Sequence, residues 1–374
     1  MTGVVIVDDH FPTVGTGFRI AEFSWLLRHG TVDRVATTSP NLEASLPAYS
    51  AQEPRVWERV EAFDDASLDG ASLAYLVFLN TVDHHLDELE RRRVPFVLEL
   101  YPGGGLYLGD ADVERRLDRV LASEMLRHVI TTQPIVTERV ARSVREGVGV
   151  TEIPGVVVDP LYLSPGAGRR SAYFGSGKEV LDVAFVAHRY TRDGADKGLP
   201  VFLGVVDRLR DAGVDVVAHL VGGHAADDLG DRDPAGFRLH GVLPAIGLRS
   251  VLLGVDVVVS PVRADVLAPG SFDGFPTGST IEAMLCGALA VTADPRAQNR
   301  DFRDGRDIVL EPADEDAIAA RLLRISRREG ELERIARSGL ATARRRHSVA
   351  AQLVPRRRIL EAERRAVDAL VAGD

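Results

Sequence analysis

The chain has 374 residues, of which 45% are hydrophobic and 27% charged, an ordinary composition for globular domains. This length predicts two or three domains, and the composition excludes disordered and fibrous proteins. Lys and Arg number 45 against 55 for Asp and Glu, a net charge of −10, so we expect no nucleic-acid partner. No apolar run reaches the length of a membrane span, and a single cysteine excludes an internal disulfide. The N-terminus has no charged segment leading into a long apolar one, so we expect a cytoplasmic protein.

Both halves of the chain alternate short β-branched runs with helix-like stretches, which predicts α/β domains with mostly parallel sheets. Turn-forming residues replace the apolar periodicity between 164 and 177, and we place the domain boundary there. The predicted strands are 4–7, 74–79, 94–98 and 129–131 in the first half, and 183–186, 214–221, 255–259, 289–291 and 308–310 in the second. The predicted divisions are a first domain over 1–165, a linker over 166–178, a second domain over 179–345 and a helical tail over 346–374.

Asp8 and Asp9 follow the first predicted strand, as the magnesium-binding acids of response-regulator receivers do. A receiver also needs a lysine near its fifth strand, but Lys178 and Lys197, the two lysines of the chain, lie beyond the first domain. That absence argues against a receiver. The two acids are then either ligand-facing residues at the carboxyl end of a strand or a solvated acidic turn.

In the second half, a strand is followed by Arg189, a polar loop, Lys197 and a predicted helix. A helix start offers unpaired N–H groups and the positive end of the helix dipole, so two cations beside it form a suitable diphosphate cradle. The alternative for Lys197 is a solvated loop cation.

A loop of Gly, Pro, Thr and Ser lies between two acids, Asp273 and Glu282, and leads into another predicted helix. Paired carboxylates beside a helix start are suited to binding a charged or hydroxylated ligand. The alternative is local: Ser279 and Glu282 have the spacing of a capping box, in which Glu282 only closes the helix start.

The stretch from Val183 to Leu310 resembles the nucleotide-sugar domain of retaining GT-B glycosyltransferases of the family 4 type, also called group 1. His188-Arg189 and Lys197-Gly198 resemble the residues that hold the donor diphosphate in that family. Asp273 and Glu282 resemble its paired-acid motif, with Asp in place of Glu and one additional residue between the acids. The resemblance implies a GT-B architecture, in which two Rossmann-like domains face a cleft and a helical tail follows.

The resemblance also implies roles for individual residues. Arg189, Lys197 and Asp273 are the catalytic candidates, and Glu282 is the residue that holds the nucleotide ribose. The other donor-binding candidates are Gly278, Ser279, Thr280, His240, Gly241, Gly15 and Gly17. Where many members carry a histidine, this chain reads Tyr101-Pro102-Gly103-Gly104-Gly105, so we assign no catalytic histidine. Tyr101, Gly103 and Gly104 are acceptor-binding candidates, with a flexible turn as the alternative for the glycines.

The expected function is transfer of a sugar from a nucleotide diphosphate donor to an acceptor hydroxyl, with retained anomeric configuration. Glycan, lipid-linked and natural-product acceptors are all compatible with the sequence. The alternatives are a nucleotide-sugar epimerase and a non-catalytic nucleotide-sugar-binding protein.

We expect no cofactor and no metal ion. Adjacent His84 and His85 should point in different directions on a helix, so we expect them to form a solvated helix start. Asp110-Ala111-Asp112 is a three-residue pattern expected by chance. The arginine runs 344–346 and 356–358 of the tail are interpreted as solvated helix faces, with contact to an anionic acceptor or a membrane surface as the alternative.

Overall fold

The structure is a computed structural model that describes residues 3–13, 17–164, 166, 168, 170 and 172–372. The chain forms two compact units. Unit 1 comprises Met1–Val157, Pro269–Gly274 and Val349–Asp374, and unit 2 comprises Val158–Ala268 and Phe275–Ser348. Among the described residues, none of the helices combines the length and the hydrophobicity that a membrane span requires.

Unit 1 contains a seven-stranded parallel sheet in the order β3-β2-β1-β4-β5-β6-β7. Its strands are β1 (Val4–Asp8), β2 (Arg34–Thr37), β3 (Val60–Ala62), β4 (Leu73–Val77), β5 (Phe96–Leu100), β6 (Leu126–Thr131) and β7 (Gly149–Glu152). Its helices include α1 (Gly17–Arg28), α2 (Leu42–Gln52), α3 (Leu79–Arg92), α4 (Ala111–Ala122) and α5 (Pro134–Ser143). Every residue of β1, β4 and β5 is buried, as expected where helices cover both faces of a parallel sheet.

Unit 2 contains a six-stranded parallel sheet in the order β12-β11-β10-β13-β14-β15, with a separate two-stranded sheet of β8 and β9. Its strands are β8 (Tyr173–Phe174), β9 (Gly177–Lys178), β10 (Leu181–Val186), β11 (Val216–Val221), β12 (Phe237–Leu239), β13 (Val257–Ser260), β14 (Leu289–Thr292) and β15 (Val309–Leu310). Its helices are α6 (Pro160–Leu163), α7 (Leu199–Asp211), α8 (Ala245–Leu252), α9 (Gly278–Leu285), α10 (Glu315–Ser326) and α11 (Glu331–Arg346).

The predicted fold class is confirmed, because each unit is built on a parallel sheet in a Rossmann-like arrangement. The turn-rich stretch interpreted as a linker contains β8 and β9, and unit 2 begins earlier, at Val158. The predicted helical tail is α12 (Val349–Ala372), and its residues belong to unit 1.

A buried ionic cluster anchors α12 to the core of unit 1. Arg356 is fully buried and pairs with Glu99 of β5, with 2.6 Å between Nη2 and Oε1. The Tyr75 hydroxyl is hydrogen-bonded to Glu99 and, at 2.5 Å, to Glu22 of α1. Burial, followed by the charge of Glu99, raises the pKa of Glu22 to about 8, so near neutral pH Glu22 keeps its proton and Arg356 balances Glu99. The interpretation of Arg356 as part of a solvated helix face is therefore wrong.

We predict that Arg356→Met lowers the free energy of unfolding by about 3–5 kcal/mol, because it leaves Glu99 buried without its counter-ion. Urea denaturation followed by circular dichroism measures the change. The control is Arg357→Leu, which removes a neighbouring arginine whose pair with Glu361 is partly exposed and should change stability by about 0.5 kcal/mol or less. Equal losses of unfolding free energy in the two variants would show that the buried pair stabilises the fold no more than the partly exposed pair does.

Candidate functional site

The candidate site lies at the carboxyl ends of the central strands of unit 2. Ligands of open parallel sheets bind at this edge, because the loops that leave the strands meet there. The loop after β10 carries Arg189 and Lys197, the loop after β11 begins with Gly222, and α9 follows the loop after β13. Three loops therefore leave neighbouring strands at the same edge, and two of them carry or lead into predicted site residues.

Two glycines let backbones approach closely at this edge. Gly222 has φ 119°, and a Cβ there would lie 1.8 Å from the carbonyl oxygen of Ala187. Gly198 has φ 80°, and a Cβ there would lie 2.0 Å from the carbonyl oxygen of Pro261. No residue with a side chain fits at either position without movement of the backbone. The close approach at Gly198 fixes Lys197 beside the end of β13.

Further contacts hold the loop that carries Lys197. The Arg263 N–H donates to the carbonyl oxygen of Asp196 at 3.1 Å, and the Thr191 hydroxyl donates to the Asp196 carboxylate at 2.8 Å. The Lys197 Nζ lies 5.0 Å from the centre of the Tyr190 ring, whose side chain is exposed. The ammonium group is therefore attached to a well-anchored loop and lies near the surface.

Arg189 is held on the same loop by an acidic partner. Its guanidinium pairs with Asp228 at 3.1 Å and donates to the carbonyl oxygen of Arg192. Nearby, His224 donates from Nε2 to the Ala187 carbonyl at 3.1 Å, and burial lowers its pKa. The sequence analysis missed Asp228 and His224. The glycine pair before His224, directly after a strand, was the available signal.

The start of α9 lies against the end of β13. Thr277 is the N-cap, and its side chain accepts the Thr280 N–H at 3.4 Å. The Thr277 and Ser260 hydroxyl oxygens are 3.4 Å apart. The amides of Gly278 and Ser279 lie in the first helical turn, where no carbonyl of the helix can pair with them. This helix start therefore has the properties of an anion-binding site.

Glu282 lies in the second turn of α9 and is half-buried. The capping-box alternative is wrong, because Thr277 caps the helix and Glu282 lies beyond its third residue. Burial and the charge of nearby Asp159 raise the pKa of Glu282 to about 8. Near neutral pH this carboxyl group is largely protonated, so it can both donate and accept hydrogen bonds.

Asp273 lies in the segment Pro269–Gly274, which belongs to unit 1. The Leu108 N–H donates to the carbonyl oxygen of Gly270 at 3.1 Å, and a Cβ on Gly274 would lie 3.3 Å from the side-chain amide of Gln133. Gln133 follows β6, so the segment packs near the carboxyl ends of the unit 1 strands. Asp273 is partly exposed there.

His240 and Gly241 follow β12 but face different surroundings. The Gly241 carbonyl accepts the Gly222 N–H at 2.9 Å, which places Gly241 at the candidate site. The His240 ring stacks parallel to His219, with 3.0 Å between His240 Nε2 and His219 Nδ1, and His219 in turn contacts Asp182 at 2.6 Å. These three side chains line a cavity of about 640 Å³.

The remaining predicted residues belong to unit 1. Gly15 lies outside the described residues, and Gly17 is the first residue of α1. Tyr101 is buried, and its hydroxyl accepts from Arg356 at 3.2 Å, so its side chain is occupied within the core. Gly103 and Gly104 have φ of 84° and 53°, and a Cβ on Gly104 would lie 2.2 Å from the Phe78 ring. This geometry favours the turn alternative for the glycines.

Part of the second half of the chain matches a known protein family. Residues 182–328 match the family model described as glycosyl transferases group 1. The matched residues include Lys197 and Glu282 and, apart from Pro269–Gly274, lie within unit 2. The match agrees with the group 1 resemblance that the motifs of this region indicated. No curated protein matches the chain.

Solved structures resemble the whole chain in fold. Anabaena HepE in complex with UDP is 16% identical with a TM-score of 0.66, covering 96% of this chain and 100% of that one. A Rickettsia africae glycosyltransferase is 12% identical with a TM-score of 0.68, covering 97% and 98%. Sucrose-phosphate synthase from Thermosynechococcus elongatus is 15% identical with a TM-score of 0.63, covering 100% of both chains. The fold is GT-B, as the sequence resemblance implied.

We predict that Glu282→Gln stabilises the protein as pH rises. The folded-state pKa of Glu282, about 8, lies above its ordinary value of 4.5, so its contribution to stability is full below about pH 4.5 and is lost as pH rises through 8. Glutamine cannot ionise, so the variant should gain up to about 4 kcal/mol over the wild type between pH 5 and pH 8.5, measured by urea unfolding. Glu329→Gln, at an exposed position of the same unit, is the control. A pH-independent difference for Glu282→Gln would contradict the assigned protonation.

Proposed function

We propose that the protein transfers a sugar from a nucleotide diphosphate donor to an acceptor hydroxyl. The observation that carries the proposal is the meeting of two anion-binding elements at the end of β13. Gly198 brings the Lys197 loop against Pro261, and the Ser260–Thr277 contact brings the start of α9 to the same strand end. A diphosphate is a dianionic group that matches an ammonium together with exposed helix-start amides.

These groups act on the leaving diphosphate. Cleavage of the bond between the anomeric carbon and the phosphate oxygen develops negative charge on the diphosphate. Fixed donors aimed at that charge lower the barrier most. We assign Lys197 and the amides of Gly278 and Ser279 to this role. Arg189 joins them by exchanging its pair with Asp228 for the phosphate.

The two acids act on the sugar and the ribose. Glu282, with its largely protonated carboxyl group, is positioned on α9 to bind ribose hydroxyls in both directions, as donor and as acceptor. Asp273 is proposed to orient the sugar hydroxyls or to face the positive charge that develops on the ring. His224, neutral because of its lowered pKa, adds an imidazole to the same edge of the sheet.

We propose retention of anomeric configuration. The acceptor oxygen attacks the anomeric carbon on the face that the diphosphate leaves. One carbon–oxygen bond breaks, one forms, and the acceptor proton passes to the departing phosphate oxygen. Support comes from the group 1 match, and the Anabaena HepE complex makes UDP the first nucleotide to test. This transfer needs no metal ion at the diphosphate, because the cations of the protein balance its charge.

We predict that Lys197→Ala weakens UDP binding about 10- to 150-fold in titration calorimetry, the equivalent of one charge-assisted hydrogen bond of about 1.5–3 kcal/mol. The matched control is Lys178→Ala, which removes the other lysine of the chain. Lys178 pairs with Asp182 and Asp256 near the amino end of β10, away from the candidate site. Lys178→Ala should therefore keep the wild-type affinity for UDP. Unchanged affinity in Lys197→Ala removes that residue from the site.

A turnover assay separates transfer from the alternatives. The full chain is incubated with UDP-, GDP-, ADP- and TDP-glucose, with and without a panel of sugar, lipid-linked and phenolic acceptors. Acceptor-dependent release of the nucleoside diphosphate, with the product anomer assigned by NMR, supports a retaining transferase. Conversion of the donor sugar without acceptor indicates an epimerase, and binding without turnover across the panel indicates a binding protein.

A further inference from the structure

Three potential metal ligands converge in unit 1, apart from the residues assigned to sugar transfer. Asp9 follows β1, and His84 and His85 lie in the second turn of α3. The Asp9 Oδ1 lies 3.3 Å from His85 Nε2 and 3.7 Å from His84 Nδ1. All three ligand atoms lie within 4.8 Å of one another. Among the described residues, no other group of three such side chains is as close.

The two histidines do not diverge, although adjacent positions on a helix predict that they should. Their rings stack with centroids 4.5 Å apart and an angle of 24° between the planes. His85 is buried against Phe63, whereas the His84 side chain is 63% exposed. The expectation that they form a solvated helix start is therefore wrong for His85. One ring enters from the protein interior and the other from the solvent side.

The spacing fits a tetrahedral ion. Zinc–nitrogen and zinc–oxygen bonds of about 2.0–2.1 Å place neighbouring ligands about 3.3–3.4 Å apart. The Asp9–His85 distance already has this value, and the Asp9–His84 distance exceeds it by a few tenths of an ångström. The exposed His84 side chain can close that difference by a small rotation. Two imidazoles and one carboxylate form a typical ligand set for Zn²⁺ that keeps an open position.

The surroundings of Asp9 also match a ligating carboxylate. The Thr38 hydroxyl donates to Asp9 Oδ1 at 2.6 Å. Carboxylates that bind a metal are commonly held by such an outer hydrogen bond, which orients the ligand oxygen. Thr38 follows β2, the neighbour of β1, so two adjacent strand ends build the position.

We propose that Asp9, His84 and His85 bind one Zn²⁺ ion, with the fourth position open to water or to an oxygen ligand. The site lies at the carboxyl edge of the unit 1 sheet, where ligands of open parallel sheets bind. None of its three residues is assigned to sugar transfer, so the test of this zinc site does not depend on the proposed function.

The test is a metal titration of the full chain after removal of metal with a chelator. Zn²⁺ binding is measured by calorimetry, and Co²⁺ binding by the visible absorption of the tetrahedral ion. We expect one ion per chain. Asp9→Asn and His84→Ala should abolish Zn²⁺ binding or weaken it more than Thr38→Val does. Because His84 is exposed, His84→Ala is the variant least able to disturb folding. Thr38→Val should weaken binding about 10- to 100-fold, as removal of an outer-shell partner does.

Two controls decide the position of the ion. His10→Ala removes an exposed histidine beside Asp9 that is not a ligand, and His240→Ala removes one of the paired histidines of unit 2. Both should bind Zn²⁺ as the wild type does. Absence of binding, binding unchanged in Asp9→Asn and His84→Ala, or loss of binding in His240→Ala would each overturn the proposal.

Discussion

The close approach of the Gly198 backbone to the carbonyl oxygen of Pro261 is the constraint on which the candidate site depends. It places a lysine immediately beside the end of β13, and the Ser260–Thr277 contact places the start of α9 beside the same strand end. Neither element alone distinguishes a ligand site from an ordinary loop. Together they bring a lysine-bearing loop and the unpaired amides of a helix start to the same strand end, an arrangement that stabilises an anionic ligand.

Much of this arrangement was predictable from local sequence. Alternating apolar runs and helical stretches predict a parallel sheet, and a parallel sheet places all strand ends at one edge. Lys197-Gly198 and Ser279-Thr280 could therefore be assigned to neighbouring positions without any knowledge of side-chain contacts. The boundaries of β10, β11, β13, β14 and β15 were predicted within a few residues, because buried strands of this kind are nearly continuous apolar runs. The short edge strand β12, with two exposed residues of three, was not among the predicted strands.

The features that escaped prediction depend on partners that are distant in the sequence. Arg356 belongs to an arginine run that looks solvated, and only its contact with Glu99, 257 positions away, shows that it is buried. The positions of His84 and His85 on the helix predicted that their side chains point apart. Instead, a nitrogen of each ring lies within 3.7 Å of Asp9 Oδ1, after β1. The cap at Thr277 was misplaced by two residues, since several hydroxyl residues compete for that role and only the backbone geometry selects one.

The most direct test of the account is a crystal structure of the protein with bound UDP. The account predicts phosphate oxygens within about 3.2 Å of the Lys197 Nζ and of the amides of Gly278 and Ser279. It also predicts that Arg189 leaves Asp228 for the phosphate. Phosphates bound instead in the cavity lined by His219 and His240, with Lys197 still over the Tyr190 ring, would contradict it.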